Sequence, residues 1–380
     1  MCLSCSAASF PTPTFPRSRR WASAASSAPA PTPTRSSRIS VRWWRVPDPT
    51  DLVQSLRANR RQLSRLLTKT ENGQAAAEIA AIYPHTGQAH IIGVTGAPGT
   101  GKSTLVNALT KYYRQQGRTV AIVAVDPTSP FTGGAILGDR IRMRDLSGDP
   151  GVFVRSMATR GSLGGLARAT GDLVTVFDAA GFDVILIETV GAGQSEVDVA
   201  RLAHTTLVIE APGLGDDVQA IKAGILEIAD ILVVNKADHP GVDNTVRALR
   251  AMLDLGHRVE RVNHHGTLRT VPAVPLPDEA TAWQPPILQT VAAEDKGIVE
   301  LAEKIAAHRQ YLRQTGVLSV REQIRIELEL ADRLREALLQ RLLATADPAA
   351  IQAVIAQVSQ RRLSLSEAVS RLLDHTSSLP

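Results

Sequence analysis

A glycine-rich loop of eight residues carries the clearest chemical signal in the sequence. It fits the pattern G-x-x-x-x-G-K-[ST] and comprises Gly96, Ala97, Pro98, Gly99, Thr100, Gly101, Lys102 and Ser103. Glycines let the main chain wrap closely around phosphate oxygens, and the amides that open the following helix add positive potential. We therefore expect the loop and Thr104 to bind a nucleotide, with Lys102 at the terminal phosphates and the Ser103 hydroxyl on Mg²⁺. An ordinary strand-to-helix turn is the alternative.

A second motif points to the base of that nucleotide. Asn235, Lys236, Ala237 and Asp238 fit N-K-x-D and end a late apolar run. In this pattern the aspartate accepts hydrogen bonds from the guanine ring N–H and amino group, the asparagine serves the carbonyl side and the lysine stem covers the ring. A site built on such hydrogen bonds rejects an analogue that lacks them by about 10⁴-fold or more. Alone, the tetrapeptide could equally be a turn. Paired with the phosphate loop, it predicts GTP and GDP as ligands.

Three acidic residues are candidates for a magnesium site. Asp126 and Glu188 end apolar runs, whereas Asp139 lies in the glycine-rich stretch FTGGAILGDRIRM. Carboxylates at the carboxyl ends of strands beside a phosphate loop can bind Mg²⁺ directly or through water. With Ser103 they form the predicted metal site, and with Lys102 they form the predicted catalytic set. A plain structural or solvated position is the alternative for each, above all for Asp139, which an adjacent arginine could pair.

Short apolar runs must position these residues, and helix-length segments separate the runs. Runs of this kind are typical of parallel strands that are buried on both faces. The sequence therefore predicts an α/β fold of the P-loop NTPase type, with a mostly parallel sheet flanked by helices. The six predicted strands are HIIGVTG (90–96), TVAIVAVD (119–126), VFVRSM (152–157), DVILIET (183–189), TTLVIEA (205–211) and ADILVVNKAD (229–238).

Helical extensions are predicted on both sides of the nucleotide-binding domain. Residues 48–89 show leucines near helical spacing, residues 90–310 form the predicted G domain, and residues 311–380 are charged and leucine-rich. The stretch IRIELEL (324–330) alternates as a strand would, yet its surroundings favour a helix.

The C-terminal extension carries an apolar stripe that predicts a homodimer. Five residues recur every four positions and give one helix an apolar face. The alternative is that this face packs back onto its own G domain, because both arrangements would cover it. The stripe comprises Ile326, Leu330, Leu334, Leu338 and Leu342.

Residues 1–47 differ from the rest of the chain in composition. They are rich in Ser, Pro, Thr, Ala and Arg and contain no acidic residue, so we expect a disordered tail. One interpretation is an upstream start codon added to a bacterial cytoplasmic protein. The other is a targeting segment that leads to the mitochondrial matrix, although its prolines disfavour the amphipathic helix of such segments.

Charge and cysteine usage exclude several classes of function. The 380 residues carry a net charge of +5, but residues 1–47 supply seven of the arginines, so the remaining chain has 35 basic and 37 acidic residues. We therefore expect no nucleic-acid partner. No apolar run is long enough for a spanning helix, so we expect no membrane either. Both cysteines, Cys2 and Cys5, lie in the tail, which argues against a cysteine-based metal site in the folded part.

At these motifs the chain closely resembles the MeaB/ArgK-type GTPases, from about Leu52 to about Leu343. The family acts as chaperones of adenosylcobalamin-dependent methylmalonyl-CoA mutase and related acyl-CoA mutases. The resemblance implies GTP hydrolysis with Mg²⁺, an acyl-CoA mutase partner and a homodimer joined through the C-terminal region. The matching stretches are GVTGAPGTGKSTL, VAVDPTSPFTGGAILGDRIRM, RSMATRGSLGGLA, ETVGAGQSEVDVA, APGLGDDVQAIKAGILEIAD, VVNKAD and WQPPILQTVA.

The resemblance also implies roles for individual residues. The three candidate carboxylates would form a magnesium and switch cluster. Where the family usually has Thr-Ser-Ala behind the guanine, this chain has Thr290-Val291-Ala292, so Val291 and Ala292 would contact the base mainly through their main chain. The residues implied for switching and partner coupling are Gly191 and Gln194 of switch II (191–196), and Asp216, Asp217, Gln219 and Lys222 of an additional switch (213–222).

Other functions stay open at this point. A slow GTPase that a partner accelerates is expected, since Arg155 and Arg160 are weak candidates for an internal arginine finger and more simply structural. A metal-delivery GTPase for a nickel enzyme would need a His- or Cys-rich segment to bind the metal, and the sequence has no such segment. A transport-system kinase fits poorly with a guanine-reading motif. A regulator that binds GTP without turnover is a further alternative.

Overall fold

A central parallel sheet organises the chain. The computed structural model describes residues 48–126, 144–146, 148–158, 165–189, 195–213, 228–256, 282–345 and 347–377. Within these ranges the strands are β1 (His90–Gly96), β2 (Val120–Asp126), β3 (Val152–Ala158), β4 (Val184–Thr189), β5 (Thr205–Glu210), β6 (Ile231–Asn235) and β7 (Ile287–Thr290). Their order across the sheet is β3-β2-β4-β1-β5-β6-β7, and every neighbouring pair is parallel. The predicted α/β fold is confirmed.

All six predicted strands are present, and the structure adds a seventh. β7 has four residues, lies at the edge of the sheet next to β6 and is only partly buried. A strand that is this short and half exposed has neither a long apolar run nor a clear alternation to mark it. It was therefore not among the predicted strands.

Helices surround the sheet and continue beyond it. Those of the N-terminal part are α1 (Pro49–Ala58), α2 (Arg60–Glu71) and α3 (Ala76–Ile82). Those between the strands are α4 (Lys102–Gln115), α5 (Gly165–Ala179), α6 (Ser195–Leu202) and α7 (Val242–Gly256). Those after β7 are α8 (Ile298–Gln314), α9 (Val317–Thr345), α10 (Pro348–Ser359) and α11 (Leu365–Ser377).

Both faces of the sheet are buried, as the apolar runs predict. Alternate residues of a strand point to opposite faces. On one face Val123 and Ile185 belong to a core shared with α1, α2, α3, α5 and α6. On the other face Ile122 and Leu186 belong to a core shared with α4 and α8. The two cores hold the strands in a fixed position, so the strand ends can support a precise site.

The N-terminal helices are part of the folded body. Asn59 caps α2 through its side-chain oxygen, which accepts hydrogen bonds from the main chain of Arg61 and Gln62. Arg155 of β3 pairs with Glu71 of α2, with its Nε 2.6 Å from Oε1. This ion pair joins the edge of the sheet to α2 and gives Arg155 a structural role.

The C-terminal helices leave their apolar stripe uncovered within one chain. α9 is 29 residues long and includes IRIELEL, which is helical as expected. Leu330 is 64% exposed and Leu338 is 57% exposed, and Ile326 and Leu334 are exposed as well. Leu342 is half-buried, so four of the five stripe residues are exposed in the described part of the chain, which disfavours the alternative that the stripe packs on its own G domain.

The amino ends of the strands meet at a buried polar network. The Thr205 hydroxyl lies 2.9 Å from His90 Nε2 and 2.9 Å from His308 Nδ1. His308 Nε2 lies 3.3 Å from Asp230 Oδ1, and Arg321 binds the same carboxylate at 2.8 and 3.1 Å. The network joins β1, β5 and the start of β6 to α8 and α9.

In the described part of the chain, no single helix has both the length and the hydrophobicity that a membrane span requires. α9 and α10 together have both, but this pair is bent by 105°.

The buried histidines predict a loss of stability in mild acid. Burial lowers the pKa of His204 to about 3 and that of His308 to about 4, and it holds the pKa of His90 well below its ordinary value. In the unfolded chain these groups titrate near 6.5, as is usual for histidine. Between that pH and the folded-state values the unfolded chain therefore binds more protons.

We expect the free energy of unfolding to fall as the pH drops from 7 to 5, by about 1.4 kcal/mol per pH unit for each such histidine below pH 6.5. Urea denaturation at successive pH values measures this slope. His90→Gln should reduce it, whereas His239→Gln, on an exposed side chain, should not. If His90→Gln leaves the slope unchanged, the loss of stability in acid does not come from this buried histidine.

Candidate nucleotide site

The phosphate loop begins where the central strand ends. β1 lies between β4 and β5, and ligands of open parallel sheets bind beyond the carboxyl ends of the strands at such positions. Gly96 has a φ of 137°, and a Cβ on it would lie 2.1 Å from the carbonyl oxygen of Ile209. Only glycine fits there, because a side chain would collide with the main chain of β5.

The lysine of the loop is held inside it. α4 begins at Lys102, and the left-handed Gly101 is its N-cap. The Lys102 ammonium donates hydrogen bonds to the carbonyl oxygens of Gly96 at 2.8 Å and Ala97 at 2.9 Å. The loop therefore holds a buried cation at the start of a helix, where an anionic phosphate is favoured.

Ser103 and Glu188 meet beside the loop. The Ser103 hydroxyl donates to Glu188 Oε1 at 2.5 Å, and Glu188 is only 1% exposed. Glu188 is in register with Val94 of β1 and lies one residue before the end of β4. A serine hydroxyl and a carboxylate are oxygen donors of the kind that Mg²⁺ prefers, so this pair fits a magnesium site.

The other predicted metal and switch residues are only partly described. Asp126 is the last residue of β2, at the same carboxyl edge of the sheet as Glu188. The remaining predicted residues, Asp139, Gly191, Gln194, Asp216, Asp217, Gln219 and Lys222, lie outside the described residues.

Asn235 connects the base motif to the phosphate loop. Its side chain is buried, and its amide Nδ2 donates to the carbonyl oxygen of Thr100 at 2.9 Å. Its Oδ1 accepts from the Thr290 hydroxyl and from the main-chain N–H of Ala292, both at 3.1 Å. One side chain thus joins the loop, the end of β7 and the segment that follows β7.

Lys236 makes a second connection between the two motifs. Its ammonium donates to the carbonyl oxygen of Gly99 at 2.7 Å, and its φ of 56° turns the chain sharply after β6. A Cβ on Gly101 would lie 2.4 Å from Asn235 Nδ2, so this approach also requires glycine. The Asp238 carboxylate, by contrast, is half exposed and so accessible to a base.

The segment after β7 closes the base side of the site. Val291 and Lys296 exchange main-chain hydrogen bonds of 3.1 and 3.3 Å, which fold the intervening residues into a tight loop. The Ala292 amide, predicted to face the base, donates to Asn235 in this structure. The pKa of Lys296 is raised, mainly by its hydrogen bond to Glu294 and also by the charge of Asp238.

Sequence reasoning missed two contributors to the site. Thr290 holds Asn235 through its hydroxyl, although only the resemblance drew attention to that triplet. Thr95 and Thr189 form a buried hydroxyl pair, 3.3 Å apart, that links the residue before the loop to the end of β4. Thr189 ends one predicted strand and Thr95 lies one residue before the end of another, and that position is the one signal by which this pair could have been found.

Comparison with known proteins agrees with this geometry. The family model of the methylmalonyl Co-A mutase-associated GTPase MeaB matches residues 63–347. A putative GTPase of Pyrococcus horikoshii is 50% identical over 283 residues, which are 74% of this chain and 84% of that protein. The mitochondrial methylmalonic aciduria type A homolog of Mus musculus is 33% identical over 249 residues, 66% of this chain and 56% of that protein.

A solved structure extends the likeness to the fold. The crystal structure of a LAO/AO transport system kinase superposes with a TM-score of 0.64 and 27% identity, and the match covers 87% of this chain and 98% of that one. The family model and the identity to relatives each cover most of the chain. The chain therefore belongs to the MeaB/ArgK family of P-loop GTPases, which bind GTP and GDP.

Proposed function

We propose that this GTPase is a chaperone that gates the loading of adenosylcobalamin into methylmalonyl-CoA mutase or a related acyl-CoA mutase and protects that enzyme. The observation that carries the GTPase part is the direct bonding of the guanine motif to the phosphate loop through Asn235 and Lys236. Support for the mutase part comes from the description of the matching family model and from the mouse relative.

Hydrolysis needs no covalent intermediate at such a site. Mg²⁺, held by Ser103, Glu188, Asp126 and Asp139, would neutralise charge that develops on the phosphates. Lys102 stabilises the same charge from inside the loop, and Ser103 and Glu188 are already in contact. Arg155 is engaged by Glu71 and so supplies no arginine finger. Because Arg155 is not available as an arginine finger, we expect slow turnover that a partner accelerates.

Partner coupling is assigned to the two switch segments. Gly191 and Gln194 follow β4, which carries Glu188, so they stand next to the proposed magnesium site in the sequence. Asp216, Asp217, Gln219 and Lys222 follow β5, whose Ile209 touches Gly96 of the loop. We assign sensing of the γ-phosphate to the first segment and contact with the mutase to the second.

The competing functions have less support. Among the described residues, no group of three His, Cys, Asp or Glu side chains could hold a metal ion, which leaves a metal-delivery role without a binding site there. The transport-system kinase label belongs to a similar solved structure. Base recognition through Asp238 would exclude ATP as the usual substrate of this chain.

We also propose a homodimer formed through the stripe on α9. Ile326, Leu330, Leu334 and Leu338 are all exposed in one chain. Burial of such a stripe is worth about 25 cal/mol for each Å² of apolar surface removed from water. A second copy can supply the complementary surface, since a two-fold axis pairs the same patch on both subunits.

Substitution of Asp238 tests guanine recognition. Purified protein with Mg²⁺ should bind GTP and GDP at least about 10³-fold more tightly than ATP, because only guanine offers two donors to the carboxylate. Asp238→Asn should lower GTP affinity and favour xanthosine triphosphate, whose ring carbonyl accepts from an amide. Isothermal titration calorimetry measures each affinity. Equal binding of ATP and GTP by the unaltered protein would refute the assignment.

Single-turnover hydrolysis tests the chaperone role. GTP hydrolysis should be slow alone and about tenfold or more faster with an adenosylcobalamin-dependent acyl-CoA mutase present. Lys102→Ala should abolish both rates and leave the circular dichroism spectrum unchanged, because its ammonium donates to carbonyl oxygens of the loop. If the mutase leaves the rate unchanged while the protein alone hydrolyses GTP, the GTPase assignment survives and the mutase partner is wrong.

Charge placed on the stripe tests the homodimer. Leu330→Glu with Leu338→Glu should convert a dimer into a monomer at micromolar concentration, measured by light scattering, because carboxylates would face each other in the interface. Val299→Glu on α8, at an exposed apolar position outside the stripe, is the control and should stay dimeric. A monomer for the unaltered chain would contradict the proposal.

A further inference from the structure

A cavity lies between the N-terminal helices, α5 and α9. Its volume is about 240 Å³, roughly eight times the share of one water molecule in the liquid. Thr70, Ala75 and Asp172 of its lining are buried, whereas Tyr83 and Arg168 are exposed, so the cavity runs from the surface into the body. None of the described residues that line it belongs to the candidate nucleotide site.

One part of the lining is apolar because small side chains face the cavity from α3. Ala76, Ala80 and Tyr83 are spaced by four and three residues, which places them on one side of the helical segment. The two alanines leave space that a larger side chain would fill. The cavity therefore offers a short apolar surface that reaches the outside of the protein at Tyr83.

The rest of the lining carries charge. Arg168 and Asp172 lie one turn apart on α5, and Arg333 reaches the cavity from α9. Two guanidinium groups and one carboxylate give the described lining a net charge of +1. Ligand cavities in proteins typically combine apolar walls with a few polar groups that orient the ligand. A net positive lining beside apolar surface favours a ligand with an anionic group and an apolar part.

Both guanidinium groups have donors for such a ligand. Arg333 Nε donates to Glu329 Oε1 at 2.9 Å, and Arg333 Nη2 donates to Asp172 Oδ1 at 2.5 Å. Among the described contacts Arg333 uses only these two atoms, so its Nη1 stays available. No hydrogen bond or ion pair joins the Arg168 side chain to another described residue. One guanidinium is thus held in place by carboxylates and the other is unpaired, and such groups bind a carboxylate well.

We propose that this cavity binds a small molecule that has an anionic head group and a short apolar body. The head group accepts hydrogen bonds from Arg168 and Arg333, and the body packs on the α3 side of the cavity. The volume limits the ligand to about eight non-hydrogen atoms. Because Arg168 belongs to α5 and Arg333 to α9, the bound ligand attaches α9 to the G domain at a second place, separate from the network around Asp230.

Hexanoate is the probe, because it has a carboxylate, an apolar chain and eight non-hydrogen atoms. Fluorine NMR of the full chain labelled with 3-fluorotyrosine reports on the cavity, since Tyr83 is the one of the four tyrosines that lines it. The signal that Tyr83→Phe lacks is assigned to Tyr83. At constant ionic strength this signal should shift saturably, with a dissociation constant of about 1 mM or lower, while the other three stay in place.

Hexan-1-ol and hexan-1-amine test the head group. Both keep the apolar body, but the first has no charge and the second has the opposite charge. Each should bind at least about tenfold more weakly than hexanoate, because the charge-assisted bonds to guanidinium are lost. Binding of either compound as tight as that of hexanoate would overturn the assignment of an anionic ligand.

Two pairs of variants test the two parts of the lining. Arg168→Gln should weaken hexanoate binding about tenfold, whereas Arg65→Gln, at an exposed arginine of α2 outside the lining, should leave it unchanged. Ala76→Leu should abolish binding because leucine fills the cavity. Ala77→Leu, at the next residue of α3, which is also exposed but outside the lining, should bind hexanoate normally. Circular dichroism checks that each variant is folded.

Two results would overturn the inference. One is the absence of a saturable shift of the Tyr83 signal up to about 20 mM hexanoate, which would mean that the cavity holds only water. The other is unchanged affinity for hexanoate in both Arg168→Gln and Ala76→Leu. Neither result bears on the GTPase assignment, since Ala76→Leu should bind GTP in calorimetry as the unaltered protein does.

Discussion

The bonds of the Asn235 side chain hold the candidate site together. Its amide group donates to the phosphate loop at Thr100, and its oxygen accepts from Thr290 and Ala292 behind the base motif. Both ends of the amide are used, so neither a carboxylate nor an alkyl group could replace it without leaving a buried polar group unpaired. The hydrogen bond from Lys236 to Gly99 and the close approach of Gly101 to Asn235 depend on the same arrangement. Base recognition and phosphate binding are therefore parts of one structure.

The sheet separates two kinds of polar chemistry. The carboxyl ends of its strands carry Lys102, Ser103, Glu188 and Asn235, which are buried yet able to meet a charged ligand. The amino ends carry a second network centred on Asp230, where neutral histidines and Arg321 tie α8 and α9 to the body. We assign the first set to nucleotide binding, and the second set attaches the C-terminal helices to the body.

The sequence predicted the parts that local pattern controls. Six strands were recognisable because burial on both faces requires continuous apolar runs. β7 lacked such a run. The roles of Thr290 and of the buried histidines could not be read from pattern, because their partners lie far away in the chain: His90 meets Thr205 across 115 residues. The phosphate loop and the base motif were both recognisable in the sequence. The hydrogen bond between Asn235 and Thr100 was not, because the two residues lie 135 positions apart.

Binding of magnesium pyrophosphate, a ligand without a base, tests the claim that base motif and phosphate loop form one unit. Calorimetry should show that Asn235→Ala weakens pyrophosphate binding by about tenfold, the effect of about 1.4 kcal/mol, because the loop loses its support at Thr100. Asp238→Ala, which removes only the half-exposed carboxylate that we assign to the base, should bind pyrophosphate as the unaltered protein does. If Asn235→Ala, folded by circular dichroism, binds pyrophosphate with unchanged affinity, the two motifs act independently and the account is wrong.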